Sequence, residues 1–178
     1  MLIQPERLLS ADNKPPSELL PWLQHQRSMT DKLKEEAGDA RLEVLNQEWA
    51  SPNWWDKYTL GLSTELVMHR EILMLAGQEA CWYARTILPD YSYQAAPSFF
   101  DRLKTESLGM IIFNEATIQR QYMVNYSIDK QCLEYYWLSS SLSNNKPLWA
   151  RLSIFTIDEQ VPFYLIEILL PGLVRATN

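Results

Sequence analysis

Residues 65–89, ELVMHREILMLAGQEACWYARTILP, decide the architecture. On a strand, alternate side chains share a face, so Leu66, Met68, Arg70, Ile72 and Met74 lie together and Val67, His69, Glu71, Leu73 and Leu75 lie opposite. Ala76-Gly77-Gln78-Glu79 is a turn signal, Ala80 to Leu88 reads as the returning strand, and Pro89 stops it. The result is an antiparallel hairpin in which Arg70 is the single charge on an otherwise apolar face.

Working outward, a second hairpin closes the chain. Its arms are Leu148–Ile157 and Val161–Leu170, with Asp158-Glu159-Gln160 as the turn. Period two returns between the hairpins, putting Ile118, Arg120, Tyr122, Val124, Tyr126 and Ile128 on one face. Arg41 to Trp49 is also strand-like and ends at Ser51-Pro52-Asn53. The helical signals come earlier and in between. Ser17 is placed to cap ELLPWLQHQ, with Pro21 in the first turn, and Ser28-Met29-Thr30-Asp31 opens TDKLKEEAG, which stops near Gly38. Pro97 to Lys104 reads as a short helix, and Leu108-Gly109 leads into the apolar stretch Met110–Phe113. A Ser/Asn-rich loop spans Ser139 to Asn145. Helices followed by hairpins predict one α+β domain over 1–178 built on an antiparallel sheet of about six strands, with residues 1–16 as a flexible N-terminal segment.

Composition narrows the function. The chain has 178 residues, which suits a single domain. Its net charge of −6 lacks the basic excess of a nucleic-acid binder. No run of about 18 apolar residues suggests a membrane span, and the first residues lack a signal-peptide order. Cys81 and Cys132 show no CxxC spacing and read as free thiols, pointing to the cytoplasm. Two histidines and no Cys/His cluster make a metal site unexpected, and no phosphate-cradling Gly motif is present. No cofactor is expected.

Charges on apolar faces are the informative feature. Glu167 shares its face with Phe163, Leu165 and Leu169, while Tyr164, Ile166, Ile168 and Leu170 form the other. Both faces are apolar, so the strand is expected to be covered on both sides and the carboxylate desolvated, which is costly without a partner. One reading is a structural ion pair with Arg70 or Arg120, or a place in water at a sheet edge. On pattern alone this is the simpler reading. The other is a polar patch in an apolar pocket, with Arg70 forking a ligand carboxylate and Glu167 meeting a ligand hydroxyl. His69, opposite Arg70, reads as a structural strand residue, and Trp49, Trp54, Trp55 and Tyr58 as packing or an interaction surface.

From Leu19 to Pro171 the chain resembles the chorismate pyruvate-lyase family. LLPWLQHQRSMTDKL is similar to that family's N-terminal helix and Ser-Met-Thr motif. HREILMLAGQEACWYARTILP is similar to its Arg-Glu-Ile-Leu strand, turn and Arg-Thr strand ending in Pro. SLGMIIF carries its Leu-Gly pair, ATIQRQYMV its Thr-x-x-Arg strand, and LWARLSIFTIDEQVPFYLIEILLP its closing hairpin with Glu before Leu-Pro. Two stretches depart: Asp129 to Pro147 is longer than the family's connection, and Trp49 to Tyr58 matches poorly.

The resemblance implies a cofactor-independent carbon–oxygen lyase that converts chorismate to 4-hydroxybenzoate and pyruvate at the start of ubiquinone synthesis, acting as a monomer. It implies helices covering a ligand pocket and ligand contacts at Met29, Arg70, Leu108 and Glu167, with Arg70 and Glu167 as the catalytic pair. Arg70, with backbone groups of Met29 and Leu108, would hold the ring carboxylate, and Glu167 would face the ring hydroxyl. A second cation should meet the enolpyruvyl carboxylate, and Arg151, Arg85 and Arg120 are the candidates. The segments around Ser28–Lys34 and Pro97–Leu108 are expected to act as flaps. The fold resemblance extends to ligand-sensing domains of bacterial regulators, so a non-catalytic aromatic-acid sensor is an alternative, as is a lyase giving 3-hydroxybenzoate. With 28 residues before Met29, a preceding winged DNA-binding domain is not expected.

Overall fold

The computed structural model describes residues 14–113, 115–143 and 146–177. Most of the expected N-terminal flexible segment, residues 1–13, therefore lies outside the described residues, as do Asn144 and Asn145 of the Ser/Asn-rich loop. Two three-stranded meanders make the sheet. The first is β1 (Arg41–Ala50), β2 (Val67–Ala76) and β3 (Glu79–Pro89), and the second is β4 (Ile118–Ile128), β5 (Leu148–Ile157) and β6 (Val161–Leu169). They join side by side through β3 and β6, giving the order β1-β2-β3-β6-β5-β4 with every neighbouring pair antiparallel. The chain is thus α+β with six antiparallel strands, as the hairpin patterns predict.

Different connections cover the two faces of the sheet. One face packs against α1 (Leu20–Leu23) and α2 (Met29–Ala37) from the N-terminal side. The β3–β4 connection adds α4 (Asp90–Ala95), α5 (Pro97–Phe100) and α6 (Leu108–Ile112), and α8 (Pro171–Thr177) follows β6. The opposite face is covered by α3 (Trp54–Thr59) and by the long β4–β5 connection, which contains a 3-10 turn at Leu133–Trp137 and α7 (Ser140–Ser143). Trp55 and Trp137 meet edge to face there at 5.1 Å. From the two stretches that depart from the family pattern, Trp55 packs with Cys132, Trp137 and Leu138 on the face away from the Arg70 side chain, while Trp49 meets Tyr93 on the Arg70 side at 5.4 Å.

Of the two capped helix starts expected from the sequence, one is as expected and one differs, and a third, at Asn53, falls where the sequence marks only a strand break. Ser28 caps α2, its Oγ accepting from the Asp31 N–H at 3.1 Å, and Gly38 ends it at φ 76°. Asn53 and Asp56 form a reciprocal capping box on α3. Ser17 does not cap its helix: α1 is a single turn starting at Leu20 with no side-chain cap. Pro21 sits in that first turn, where its missing N–H costs nothing. The expected helix over Pro97–Lys104 is split into α5 and a 3-10 turn at Asp101–Lys104.

One strand corrects the sequence reading in a way that matters for the site. Strict alternation puts Arg120 on the face of Tyr122, Val124 and Tyr126. In the sheet, Arg120 pairs with Phe155 and Tyr122 with Ile154, so Gln121 is an extra residue in a β-bulge. Tyr122, Val124, Tyr126 and Ile128 pack in the core with α3, while Ile118 packs on the opposite face and Arg120 lines the cleft there. The bulge thereby delivers a cation to the face that carries Arg70.

Gly172, in the first turn of α8, lies where a β-carbon would stand 2.2 Å from the Ala80 carbonyl oxygen. Backbone must move to admit a methyl there. Gly172→Ala is therefore expected to destabilise the protein by about 1–3 kcal/mol, read as a drop of several degrees in thermal midpoint; an unchanged midpoint would contradict this packing.

Candidate active site

A cleft opens between the sheet and the starts of α2 and α6. Its floor is the Arg70 face of the central strands: Arg70 and Ile72 from β2, Ala84 and Thr86 from β3, Leu165 and Glu167 from β6. Arg70 registers with Thr86, which faces Leu165, and Glu167 registers with Ala84. The two charges are therefore two strands apart and two residues offset along the strands. At about 4.8 Å per strand and 3.4 Å per residue, their Cα atoms are about 12 Å apart. Both side chains line the cleft, and Ala84 lies on the strand between them.

At the Arg70 end, positive charge is concentrated and uncompensated. Arg70 is 1% exposed, and its Nη2 donates to the Glu106 carbonyl at 2.9 Å. Its Nε is buried without a partner, and no carboxylate among the described residues pairs with it. Burial pulls the guanidinium down to about 10, still well above neutrality, so at pH 7 it is a buried cation lacking an anion. Two helix starts border it. Met29 and Leu108 hold the first positions of α2 and α6, where an N–H has no acceptor within its own helix. Ser28 and Ser107 cap the two helices, and a β-carbon at Gly109 would sit 3.8 Å from the Ser28 Oγ, so the helix starts abut. Their dipole ends add to the field that favours an anion.

At the other end, Glu167 is 5% exposed and is bound by its cross-strand neighbour Arg151, whose Nε donates to Glu167 Oε2. The pattern reading of a structural pair was right about the pairing and wrong about the partner, which is neither Arg70 nor Arg120. Arg151 Nη1 also donates to the Trp22 and His25 carbonyls at 3.2 and 2.9 Å. This guanidinium fixes the carboxylate and ties down the loop between α1 and α2. Glu167 still lines the cleft, so one group is both paired and open to a ligand.

The three further arginines separate cleanly. Arg85 lies on the opposite face, paired with Glu71 at 2.8 Å and stacked over Trp137 at 4.4 Å, outside the cleft. This corrects its candidacy for a ligand carboxylate, and the cause is strand parity: Arg85 alternates with Ala84 and Thr86. Arg151 is inside the cleft, its Nε held by Glu167 and its Nη1 by two carbonyls. Arg120 is inside and open. Its Nη1 donates to the Gln26 carbonyl at 3.0 Å, while Nε and Nη2 are buried without partners. It lies 5.3 Å from the Phe113 ring and 5.0 Å from Phe155. Burial first, then Arg151, lowers it to about 10. His69 is paired with Asp56 at 2.9 Å beyond the sheet, consistent with a structural residue. Among the described residues no group of three or more His, Cys, Asp or Glu is placed to hold a metal, and no helix is long and apolar enough to cross a membrane.

The sequence reading missed the Arg151–Glu167 pair, although the signal was available. A three-residue turn at 158–160 sets Ile157 opposite Val161, and counting back six residues on each arm sets Arg151 opposite Glu167. It also missed the Glu106 carbonyl and the lining residue Phe113, which carry no recognisable motif.

The family profile of chorismate lyase matches residues 7–174. The chain belongs to the chorismate lyase family. Its similarity to curated members is low in identity but extends over most of the length. It is 28% identical over 164 residues to a probable chorismate pyruvate-lyase of Aromatoleum aromaticum, covering 90% of this chain and 88% of that one. To one of Coxiella burnetii it is 29% identical, covering 85% and 82%. Among solved structures it is similar to PhnF of Mycobacterium smegmatis, at TM-score 0.56 and 14% identity over 83% of this chain and 65% of that one. It is also similar to the gene product SA0254 of Staphylococcus aureus, at TM-score 0.53 and 16% identity over 77% and 85%. At such identities these two structures show the shared fold alone.

Removing one member of a buried ion pair strands the other. Arg151→Met is expected to cost about 3–5 kcal/mol, seen as a thermal midpoint lower by about 6–20 °C for a chain of this size. Replacing Glu167 by Met in the same chain should recover most of that loss. A single variant as stable as the parent would show that the pair contributes nothing.

Proposed function

We propose that this lyase-family protein converts chorismate to 4-hydroxybenzoate and pyruvate without a cofactor, supplying the aromatic ring for ubiquinone synthesis. The observation that carries the reading is the two-ended cleft: an unpaired buried guanidinium flanked by two helix starts at one end, and a carboxylate held by a second guanidinium at the other. On this reading Arg70, with the Met29 and Leu108 amides, receives the ring carboxylate. Glu167 accepts a hydrogen bond from the ring hydroxyl. Arg120, whose Nε and Nη2 are unpartnered, meets the enolpyruvyl carboxylate in preference to the occupied Arg151. The protein is taken to work as a cytoplasmic monomer.

The chemistry asks little of the protein. The hydrogen on the hydroxyl-bearing ring carbon is lost, the ether bond between ring and enolpyruvyl oxygen breaks, and the enolpyruvyl methylene gains a hydrogen to become the methyl of pyruvate. Aromatisation drives the step. The site has to hold a flexible dianion in the reacting conformer and stabilise charge on the departing ether oxygen. Arg70 and Arg120, fixed at two points of the cleft, would grip the two carboxylates, and Glu167 would orient the carbon that loses its hydrogen. The segments carrying Met29 and Leu108 would then open for product to leave.

Incubating the purified protein with chorismate, without added metal, should yield pyruvate and 4-hydroxybenzoate by chromatography. Tight hydroxybenzoate binding with no pyruvate would replace this reading with a sensor, and 3-hydroxybenzoate with a sister lyase. Arg70→Ala should lower kcat/KM by at least one to two orders of magnitude, since a charged hydrogen bond contributes about 1.5–3 kcal/mol; near-parental turnover would sink its role. Arg120→Gln should raise the chorismate KM about tenfold or more and leave inhibition by 4-hydroxybenzoate nearly unchanged, because the product lacks the second carboxylate. Equal effects on substrate and product would remove Arg120 from that role.

A further inference from the structure

The segment that closes over Arg70 is held at both ends by one residue outside the cleft. Arg102 belongs to the 3-10 turn Asp101–Lys104. Its Nε and Nη2 donate to the two carboxylate oxygens of Glu106 at 3.0 and 2.9 Å, and its Nη1 donates to Glu115 Oε1 at 3.2 Å. Glu106 immediately precedes Ser107, the cap of α6, and Glu115 follows that helix. Both termini of the five-residue α6 are thus drawn to a single guanidinium. Glu106 also reaches inward, since its backbone carbonyl accepts the Arg70 Nη2 hydrogen bond at 2.9 Å. The same residue is gripped by Arg102 through its side chain and by the ligand-facing Arg70 through its main chain.

We propose that Arg102 is a positioning residue that, through Glu106 and Glu115, latches α6 (Leu108–Ile112) shut over the cleft and thereby sets how fast the aromatic product escapes. The proposal rests on the lyase reading and adds to it the residue that governs release. The exposure of the three side chains, 37% for Arg102, 38% for Glu106 and 42% for Glu115, suits the task. A buried pair would resist opening at every turnover, whereas half-exposed pairs are individually weak and yield to water and salt. The fork on Glu106 supplies direction, since two parallel N–H···O contacts fix the carboxylate plane. Coupling to the ligand is reciprocal. An anion on Arg70 fixes the guanidinium that holds the Glu106 carbonyl, and a closed latch fixes the carbonyl that orients Arg70. Closure also keeps the Leu108, Ile111 and Ile112 side chains buried, so opening has to expose apolar surface as well as break the latch.

Arg102→Gln and Glu106→Gln separate a latch from a merely structural contact; the second leaves the backbone carbonyl in place. Hydrogen exchange of the 107–113 amides reads closure without substrate. Dissociation of bound 4-hydroxybenzoate, and its inhibition constant, read release. Both variants should exchange several-fold faster over 107–113 with the sheet amides unaffected, and should lose product several-fold faster. The parental protein in about 1 M NaCl, where charges are screened beyond a few ångströms, should approach the variants, which should themselves respond little to salt. Unchanged exchange overturns the latch. Faster exchange with unchanged product dissociation overturns its control of release. A parental protein that binds 4-hydroxybenzoate yet forms no pyruvate overturns the lyase reading while leaving the exchange and dissociation comparisons decisive for the latch.

Discussion

Arg70 carries its charge into an apolar sheet face where no carboxylate of the described residues meets it. Such a group is expensive to bury, and much of the surrounding structure reads as accommodation of it. A main-chain carbonyl takes one donor, two helix starts turn towards it, and the ionic partner that would neutralise it is left to come from outside. The Glu167 end follows the opposite rule. There the carboxylate is compensated within the sheet by Arg151, whose Nη1 also donates to the Trp22 and His25 carbonyls. One pole of the cleft is therefore complete and rigid, and the other is incomplete and awaits an anion. A molecule with a carboxylate at one end and a hydroxyl at the other matches that asymmetry.

Much of this was legible in the sequence. The six strands, the two hairpin turns and the capped α2 follow from alternation and punctuation. Arg70 and Glu167 stood out because charge on an apolar strand face breaks the pattern. Other features were hidden for identifiable reasons. The bulge at Gln121 inverts the parity of β4, and alternation read from either end gives no sign of an inserted residue. Arg120 was one of three candidates for the second cation, while its predicted face was the wrong one. Arg85 failed for the converse reason, because its face follows from parity once the floor of the cleft is known to be Ala84 and Thr86. The contact between Arg102 and Glu115 depends on how a helical connection folds back on itself, which no local pattern encodes.

The two faces of the sheet divide the labour. The β3–β4 connection and the N-terminal helices supply the parts that touch the cleft. The β4–β5 connection and α3 bury the other face with Trp55, Trp137 and the Arg85–Glu71 pair. Trp55, Cys132, Trp137 and Leu138, from the stretches that depart from the family pattern, lie on this second face. Sequence there is free to drift provided it keeps the apolar seal, because none of it lines the cleft.

The joining of the two meanders bears on how the protein acquires its site. Arg70 comes from the first meander and Glu167, Arg151 and Arg120 from the second. They share a face only through the β3–β6 ladder, which pairs Trp82 with Leu169 and Ile87 with Tyr164 across roughly 80 residues of chain. Contacts that distant carry a large loop-closure cost and tend to slow folding. Each meander contains one tight hairpin, β2–β3 or β5–β6, and neither meander alone brings the two poles of the cleft together. The binding site is thus a property of the docked halves, so a molecule in which the β3–β6 ladder has not formed carries the charges without the pocket.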